Sequence, residues 1–576
     1  MLLFPPSVTE RARIHPSPLI LTGKRVRWAL LMGLVACGPQ DNQEDLDSGS
    51  WSTVDLTDDS RVITVASPVC VDASAREMGQ LSRIEIGAEW PVTPDHNQMS
   101  WNLRFGGRGV TVADFDGDGV DDILVPRDGF KSHMLRGVGD GTFDERSNEW
   151  LGDQAILPHF MGSSAADIDG DGDIDIIAYG LLEDAVLMFN DGTGVLQWDD
   201  RPEWTTGTTG YGCGGSASFA DYDRDGDLDL FYGRLGGEDH LGDGSLFFCD
   251  SHLLRWDGGD YSMQSLEVTD EAQAIRSMVA GWDDFNGDGW LDLYVVSDAP
   301  PMPNALMIND QTGGFVSRPE AGLDFVVAGM GLALGDLNGD EYPDLMVPGI
   351  REMPTLLSLP QYGNVWAESS NSMGLFMSVE EGQAVGWGGE ICDMDNDGLA
   401  DMIQTFGYFP GSDSSRAQPD EIYLNKGDTF ERVGASWGFG DREVNRGFAV
   451  ADLNDDGWLD VIKRELGGRV FVDIAACGDA GWLEVRLRDE GAHNHQGIGA
   501  RLRIVAGDQT WTRRIYAGST SFASSGPAEA HFGLGDLDVI DRLEVEWPDG
   551  GTTSYGPMMT RQIIEVYRET PGLASR

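Results

Sequence analysis

The segment Asp114-Phe-Asp-Gly-Asp-Gly-Val-Asp-Asp122 recurs with small changes along most of this 576-residue chain. Six further copies follow: Asp167-Ile-Asp-Gly-Asp-Gly-Asp-Ile-Asp175, Asp221-Tyr-Asp-Arg-Asp-Gly-Asp-Leu-Asp229, Asp284-Phe-Asn-Gly-Asp-Gly-Trp-Leu-Asp292, Asp336-Leu-Asn-Gly-Asp-Glu-Tyr-Pro-Asp344, Asp393-Met-Asp-Asn-Asp-Gly-Leu-Ala-Asp401 and Asp452-Leu-Asn-Asp-Asp-Gly-Trp-Leu-Asp460. Their first aspartates lie 52 to 63 residues apart. Such a regular period is typical of repeat architectures, in which each copy is one supersecondary unit. The sequence therefore predicts an array of seven similar units.

Each copy carries a carboxylate or amide oxygen at positions 1, 3 and 5 and a carboxylate at position 9. Oxygen ligands at alternate positions of a tight loop are what Ca²⁺ requires, and the carbonyl of position 7 can add another. Position 6 is glycine in all copies but one, which permits a positive φ in the turn. We predict up to seven calcium sites with the following ligands: Asp114, Asp116, Asp118, Val120 and Asp122; Asp167, Asp169, Asp171, Asp173 and Asp175; Asp221, Asp223, Asp225, Asp227 and Asp229; Asp284, Asn286, Asp288, Trp290 and Asp292; Asp336, Asn338, Asp340, Tyr342 and Asp344; Asp393, Asp395, Asp397, Leu399 and Asp401; Asp452, Asn454, Asp456, Trp458 and Asp460.

The fifth copy departs most from the pattern. Glu341 replaces its glycine and Pro343 precedes its last aspartate, so we expect site 336–344 to bind calcium most weakly. An EF-hand needs a glutamate at position 12 and flanking helices. No copy has this glutamate, and the flanks are short β-type runs such as Ile123-Leu-Val125. EF-hands are therefore excluded, and seven aspartate loops in register argue against ordinary solvated turns.

A glycine-rich strand precedes each loop, as in Gly107-Arg-Gly-Val-Thr-Val-Ala113, and a hydrophobic strand and a hairpin follow it. Four strands per unit indicate a propeller blade. The units resemble FG-GAP/VCBS repeats over residues 100–475, and this resemblance implies an all-β, seven-bladed β-propeller with calcium in its blade loops. Ring closure usually needs a strand from the far end of the chain. We expect residues 80–90 to complete the last blade and residues 61–477 to form the propeller.

Residues 478–570 contain no further aspartate loop and predict a small all-β domain. Gly497-Ile-Gly-Ala-Arg501, His531-Phe-Gly-Leu-Gly535 and Trp547-Pro-Asp-Gly550 resemble the ASPIC/UnbV domain. The two-part arrangement is similar to the cartilage acidic protein family and its bacterial relatives. This domain also carries four arginines that either dock it on the acidic propeller or are surface charges, and we expect surface charges: Arg501, Arg503, Arg513 and Arg514.

The start of the chain predicts targeting. A basic stretch at 24–27 precedes an apolar run from Trp28 to Ala36, which is typical of a secretory signal peptide over residues 1–36. Leu34-Val-Ala-Cys37 resembles the bacterial lipobox, which implies lipidation of Cys37, although an ordinary signal peptide is the alternative. Residues 37–60 are polar and acidic and predict a flexible tether. We expect export and lipid anchoring in the cell envelope, with no other membrane contact.

Five more cysteines follow, and no two of them have the CxxC spacing of a zinc site. In an oxidising compartment Cys213 could pair with Cys249, and Cys70 with Cys477. The odd number leaves at least one thiol free. Both pairings are hypotheses.

The composition limits the possible partners. The 97 acidic residues exceed the 39 Lys and Arg by 58, so the chain would repel nucleic acid. Gly434-Ala-Ser-Trp-Gly438 matches a hydrolase pattern, but it occupies a repeat position without βα context, and His493 and His495 fit a solvated loop. We therefore predict a monomeric, non-enzymatic binding or adhesion module for a protein or glycan ligand. The alternative is a carbohydrate-active enzyme with its site at the propeller mouth.

Overall fold

The computed structural model describes residues 61–568 apart from these gaps: 69, 71–78, 88–89, 91–108, 128–129, 153–159, 181–184, 200–212, 235–236, 239–245, 248, 265, 267–276, 299–300, 351–352, 376–384, 408–418, 442, 467, 519–520 and 522. The predicted signal peptide, Cys37 and the tether lie outside the described residues. Within the part that is described, no helix has the length and apolarity needed to cross a bilayer.

Two strands, β1 (Val62–Ala66) and β2 (Leu81–Ile86), precede the repeats. The repeats then form seven antiparallel sheets within the described residues: β3 (Thr111–Ala113), β4 (Asp122–Val125), β5 (His133–Gly137) and β6 (Phe143–Glu145); β7 (Gly162–Ala166), β8 (Asp175–Tyr179), β9 (Val186–Asn190) and β10 (Leu196–Asp199); β11 (Gly214–Ala220), β12 (Asp229–Arg234), β15 (His252–Trp256) and β16 (Tyr261–Gln264), with the small hairpin β13 (Gly237–Glu238) and β14 (Leu246–Phe247) between them; β17 (Val279–Asp283), β18 (Asp292–Val296), β19 (Ala305–Asn309) and β20 (Phe315–Ser317); β21 (Ala333–Gly335), β22 (Asp344–Met346), β23 (Thr355–Leu359) and β24 (Val365–Glu368); β25 (Gly386–Cys392), β26 (Asp401–Phe406), β27 (Glu421–Asn425) and β28 (Phe430–Arg432); β29 (Asn445–Ala451), β30 (Asp460–Glu465) and β31 (Val470–Ala475). Short helical turns follow three outer strands, namely α1 (Ser147–Trp150), α2 (Gly434–Trp437) and the 3₁₀ turn Pro319–Ala321, and the 3₁₀ turn Pro360–Tyr362 joins β23 to β24.

In every repeat the nine-residue aspartate loop joins the first strand to the second. Its position 9 aspartate is the first residue of the second strand in all seven sheets, as at Asp122 in β4 and Asp292 in β18. The sharp turn is possible because position 6 has a positive φ, for example 90° at Gly119. The loops therefore all project from the same end of their sheets.

The first strands of consecutive sheets lie side by side, and β29 of the last sheet lies beside β3 of the first. Strands β17 and β21, the first strands of the fourth and fifth sheets, also pack closely: a Cβ added to Gly281 of β17 would lie 2.8 Å from the side chain of Leu334 in β21. The predicted all-β class is confirmed, and the sheets are consistent with a β-propeller.

The N-terminal strand β2 completes the seventh sheet. It pairs antiparallel with β31 from Leu81 to Ile86, as the sequence predicts. Arg83 of β2 reinforces the pairing with two hydrogen bonds to the carboxylate of Asp473, at 2.6 and 2.7 Å. Nearby, Cys70 and Cys477 form a disulfide with their Cα atoms 5.6 Å apart. The ends of the repeat region are thus joined by backbone, ionic and covalent contacts.

The C-terminal domain contains two four-stranded sheets. Its strands are β32 (Gly481–Arg488), β33 (Arg501–Ala506), β34 (Gln509–Arg514), β35 (Ala517–Gly518), β36 (Ala530–Gly535), β37 (Val539–Ile540), β38 (Arg542–Glu546), β39 (Thr552–Tyr555), β40 (Met558–Met559) and β41 (Gln562–Tyr567). The sheet orders are β1-β41-β32-β36 and β34-β33-β38-β39. Strand β1 therefore belongs to this domain and not to the propeller region 61–477 that the sequence predicts. This mostly apolar strand pairs with β41, and nothing in the local sequence identifies that distant partner.

The described residues of 517–526, here called the insertion segment, enter the ring of first strands. Strand β35 pairs with β11, and Ser525 exchanges backbone hydrogen bonds with Val110 and Val112 at 3.0 and 2.9 Å. The approach is so close that a Cβ on Gly109 would lie 1.6 Å from the carbonyl oxygen of Ala523. The insertion segment thus occupies part of the ring at the end where it enters, and a cavity lined by Leu334, Phe448 and Ser521 remains beside it.

Candidate metal centres

The seven aspartate loops share one hydrogen-bond pattern. In each, the backbone N–H of position 6 donates to the carboxylate of position 1, as from Gly119 to Asp114 at 2.9 Å. The N–H of position 7 donates to the position 5 carboxylate, as from Val120 to Asp118 at 3.0 Å. These bonds turn the carboxylates at positions 1 and 5 toward the inside of the loop.

The position 9 aspartate links three parts of its sheet. Its Oδ1 accepts a hydrogen bond from the third strand in all seven repeats, as from Gly137 to Asp122 at 2.8 Å. In six repeats its Oδ2 accepts the N–H of position 2, as from Phe115 to Asp122 at 2.9 Å. This aspartate is buried and holds the loop to its sheet, a structural role beyond the predicted ligand role.

Four loops bring three carboxylates together, with one oxygen of each within 4.8 Å of the others. These groups are Asp114, Asp116 and Asp122; Asp167, Asp169 and Asp175; Asp221, Asp223 and Asp225; and Asp393, Asp395 and Asp401. The other three loops carry an asparagine at position 3, namely Asn286, Asn338 and Asn454, and so place one carboxylate fewer there. The geometry therefore divides the predicted ligand sets into four carboxylate-rich loops and three mixed ones.

The third loop fits a cation best. Oδ1 of Asp221, Oδ1 of Asp223 and Oδ2 of Asp229 are buried and accept no hydrogen bond from the described residues. In the first and sixth loops, Oδ1 of Asp116 and Oδ1 of Asp395 are likewise buried and accept no hydrogen bond from the described residues. Buried carboxylate oxygens without a hydrogen-bond donor are costly unless a cation compensates them. The donor set, all oxygen and mostly anionic, matches a hard divalent ion such as Ca²⁺.

The same loops have strongly perturbed acidity. Burial, with smaller contributions from neighbouring aspartates, raises the pKa of Asp122 to about 7, of Asp175 and Asp292 to about 8, and of Asp229 to about 9. Burial likewise raises the pKa of Asp167, Asp221 and Asp393 to about 7. Without a cation these carboxylates resist ionisation at neutral pH, because charge repulsion and desolvation act together.

Three loops also contact a basic side chain of their own sheet. Arg136, Arg255 and Lys426 lie 2.6, 3.0 and 3.0 Å from Oδ2 of the position 3 aspartate, which is Asp116, Asp223 or Asp395. In each case the other oxygen, Oδ1, is the buried one without a hydrogen bond. The position 3 carboxylate thus points one oxygen at a protein cation and the other into the loop. These basic partners are hard to predict from the sequence, because the hairpins place them at varying distances, 14 to 26 residues after position 9.

The fifth loop keeps the shared pattern despite its substitutions. Glu341 adopts a φ of 68° and still donates its N–H to Asp336 at 2.9 Å. Its side chain points away from the loop to Arg503, at 3.0 Å, and to Arg501. The hydroxyl of Ser358 donates to Asp340 at 2.7 and 2.9 Å. The weak binding expected at 336–344 stays a prediction.

Three of the four arginines of the C-terminal domain contact acidic groups of the repeats. Arg501 and Arg503 contact Glu341, and Nε of Arg514 lies 2.8 Å from Oδ1 of Asp283, next to the fourth loop. Arg513 bonds within its own domain, to the carbonyl of His531 at 3.2 Å. The expectation of surface charge is therefore wrong for three of the four, because the domain docks directly on the loops.

The two loop histidines also face the propeller. Nδ1 of His495 lies 2.9 Å from Oδ2 of Asp167, and Nδ1 of His493 lies 2.7 Å from Oδ1 of Asp227. The expected solvated loop holds only in part, since His493 is 57% exposed and His495 only 25%. By contrast, Ser436 lies in α2 and donates to the carbonyl of Val433 at 2.9 Å, so the hydrolase-like pattern forms a helical turn.

Comparisons with known proteins agree with this architecture. The FG-GAP-like repeat family matches residues 284–347 and 393–462, and the ASPIC and UnbV family matches residues 490–572. Cartilage acidic protein 1 of Xenopus tropicalis is 24% identical over 519 residues, covering 82% of this chain and 73% of that protein.

Solved structures show weaker similarity. An Agrocybe aegerita lectin that recognises non-reducing terminal N-acetylglucosamine is 19% identical, with a TM-score of 0.35, and the match covers 66% of this chain and 88% of the lectin. BBS1N in complex with ARL6DN is 8% identical, with a TM-score of 0.40, over 69% of this chain and 98% of that one. The family matches show that the chain carries FG-GAP-like repeats followed by an ASPIC and UnbV domain.

Proposed function

We propose that this protein is an exported binding or adhesion module whose aspartate loops hold structural calcium ions. The observation that carries the proposal is the third loop, where buried oxygens of Asp221, Asp223 and Asp229 accept no hydrogen bond from the described residues, and Asp221, Asp223 and Asp225 each bring one oxygen within 4.8 Å of the others. A bound divalent cation would compensate these buried oxygens and offset the mutual repulsion of the aspartates. The first and sixth loops also hold a buried carboxylate oxygen without a hydrogen bond, at Asp116 and Asp395.

Calcium suits the loops better than a smaller ion. Ca²⁺ accepts six to eight oxygen ligands in flexible geometry, whereas Mg²⁺ prefers an octahedron and keeps several waters. Each loop offers side-chain oxygens at positions 1, 3, 5 and 9, and the carbonyl of position 7 would add a further ligand. Extracellular calcium modules bind at about 10⁻⁴ to 10⁻³ M, so calcium outside the cytoplasm would fill such sites.

Metal analysis after equilibrium dialysis tests the calcium proposal. We expect several calcium ions per chain, up to seven, and one fewer in Asp223→Ala, which removes the side-chain oxygen that position 3 supplies in every loop. Asp257→Ala is the matched control, because Asp257 lies in an exposed turn away from the loops. Chelation should lower the melting temperature sharply. An unchanged melt together with no retained calcium would contradict the proposal.

Lipid anchoring through Cys37 is part of the same proposal and has its own test. Detergent phase partitioning of the protein expressed in a bacterial host should place the wild type in the detergent phase and Cys37→Ser in the aqueous phase. Cys392→Ser is the control, since Cys392 is the free cysteine of the described residues. Equal partitioning of wild type and Cys37→Ser would contradict the anchor.

The ligand is proposed to be a protein or a glycan. The insertion segment occupies part of the ring centre, where Ser525 bonds to β3, so the enzyme alternative would place its site at this end in the cavity beside the segment, which is lined by Leu334, Phe448 and Ser521. A glycan array, a reducing-sugar assay and a pull-down from envelope extract, each with and without calcium, separate the candidates. Calcium-dependent capture without sugar release supports a binding module, and release of reducing ends contradicts it.

A further inference from the structure

The C-terminal domain contacts the aspartate loops at one repeated backbone atom, the carbonyl oxygen of position 6. In five of the seven loops a donor from the domain lies within 3.1 Å of this oxygen: Arg486 Nη1 to Gly119 at 2.8 Å, Asn494 N to Gly226 at 2.9 Å, Arg501 Nη2 to Glu341 at 2.9 Å, Trp511 Nε1 to Gly398 at 3.0 Å and His531 Nε2 to Gly457 at 3.1 Å. Five unrelated side-chain and backbone donors thus reach the same position of five loops.

The contacted carbonyl belongs to a peptide group that also serves the candidate ligands. The carbonyl of position 6 and the N–H of position 7 are two ends of one planar peptide. In the sixth loop this peptide accepts from Trp511 and donates, through Leu399 N, to Asp397 at 2.9 Å. A donor that binds the position 6 oxygen therefore fixes the plane of this peptide group. That plane sets the direction of the N–H that holds the position 5 carboxylate, and it orients residue 7, whose own carbonyl is the proposed position 7 ligand.

The remaining two loops are also linked to their surroundings. In the fourth loop, Arg224 of the third loop donates to the carbonyl of Gly289 and stacks on the ring of Trp290, 4.1 Å from its centroid. In the second loop, the domain contacts position 1 instead, because His495 lies 2.9 Å from Asp167 and Gln496 accepts the N–H of Asp167 at 3.3 Å. Every loop is thus restrained by a neighbour at or beside its ligand groups.

We propose that docking of the C-terminal domain and calcium binding are coupled, because both stabilise the same loop conformation. The inference rests on the proposed calcium binding. Coupling between two binding events is reciprocal, so each docking contact raises the calcium affinity of the loop it touches, and each ion strengthens docking. One neutral hydrogen bond changes a binding constant by about fivefold, which is the effect expected per contact.

The test uses the full chain and hydrogen–deuterium exchange during a calcium titration. Trp511→Phe removes the donor to Gly398 and keeps an aromatic side chain in the core. We expect the calcium concentration that half-protects residues 393–401 to rise about fivefold, while residues 221–229 keep their midpoint. Trp547→Phe is the matched control, since it removes an indole bond to Thr553, at 2.8 Å, within the domain.

A second variant covers the possibility that Trp511→Phe perturbs the core. Arg501→Met removes the donor to Glu341 from a side chain that is 30% exposed, and should raise the midpoint of residues 336–344 alone. In the reverse direction, removing calcium from the wild type should speed exchange in β33 and β34. If calcium protects the loops but both variants keep wild-type midpoints, the coupling is overturned while the proposed calcium function stands. If calcium protects no loop, the proposed function itself fails.

Discussion

Glu341 of the fifth loop and Arg503 of the C-terminal domain form an ion pair, with Oε1 of the glutamate 3.0 Å from the guanidinium. Arg501 and Thr510 bond to the same carboxylate, at 3.3 and 3.1 Å. Burial raises the pKa of Glu341, but these bonds outweigh burial and hold that pKa below its usual value. Glu341, which replaces the glycine found at position 6 of the other six loops, therefore joins its repeat to the C-terminal domain through its side chain.

Replacing Glu341 tests this ion pair. Glu341→Gln keeps the backbone and the shape but removes the charge, so the free energy of unfolding should fall by about 0.5–1 kcal/mol, as for a partly exposed network. The loss should shrink at high salt, because screening weakens such pairs. Urea denaturation at low and high ionic strength measures it. Glu431→Gln, at an exposed strand position, is the control and should leave the free energy of unfolding unchanged. Equal losses of stability in the two variants would contradict a stabilising ion pair between Glu341 and Arg503.

Lys463 offers a sharper test of ring closure. Its ammonium is fully buried and lies 3.0 Å from Asp420, 2.5 Å from Asp441 and 3.3 Å from Asp473. Lys463→Met would leave these acids without their main cation, at a cost of about 3–5 kcal/mol. Urea denaturation should show a much lower midpoint than for Lys131→Met, which changes a one-third-exposed lysine. Similar midpoints for the two variants would show that the buried network is dispensable.

Two aspartates of the first loop should behave differently on truncation. Asp118 is at the rim, 29% exposed, so Asp118→Ala should remove one calcium and leave the fold intact. Asp122→Ala would leave the buried N–H groups of Phe115 and Gly137 without acceptors, a loss of about 2–4 kcal/mol. Calcium content and urea midpoints measured on both variants check this. A larger destabilisation from Asp118→Ala would reverse our assignment of the structural role.

The metal-free protein should become less stable as the pH rises. The pKa values of four buried position 9 aspartates are raised to between about 7 and about 9, above the unfolded value of about 4: Asp122, Asp175, Asp229 and Asp292. Because the folded state binds these protons more tightly, their stabilisation is complete below about pH 4 and is lost progressively up to about pH 9.

Calcium should remove most of this pH dependence, since the bound ion favours the ionised carboxylates. Melting temperatures from pH 5 to pH 9, with and without calcium, measure the effect, and the gap between the two curves should widen by several degrees toward high pH. Parallel curves would show that no calcium ion binds beside these aspartates in their loops.

Much of the loop design was predictable because it is local. The four ligand positions, the glycine turn and the following strand all lie within about a dozen residues, so Asp114 to Asp122 carry the pattern of the whole repeat. The partner of β2 was predictable for another reason, since an array of strands must close and few strands were left. The basic partners Arg136 and Arg255 were not, because hairpins of different length separate them from their loops.

The sequence by itself determined the repeated aspartate loop, the all-β class and the two-part organisation, because the oxygen spacing and strand alternation that specify them are short-range. Only the tertiary structure decided that β1 joins the C-terminal sheet, that the insertion segment enters the ring, and that Arg501, Arg503 and Arg514 face acidic groups of the repeats. Those contacts join residues more than a hundred positions apart. The alternating arginines of a strand look the same whether water or a carboxylate lies opposite, so the packing of the two domains had to settle which one does.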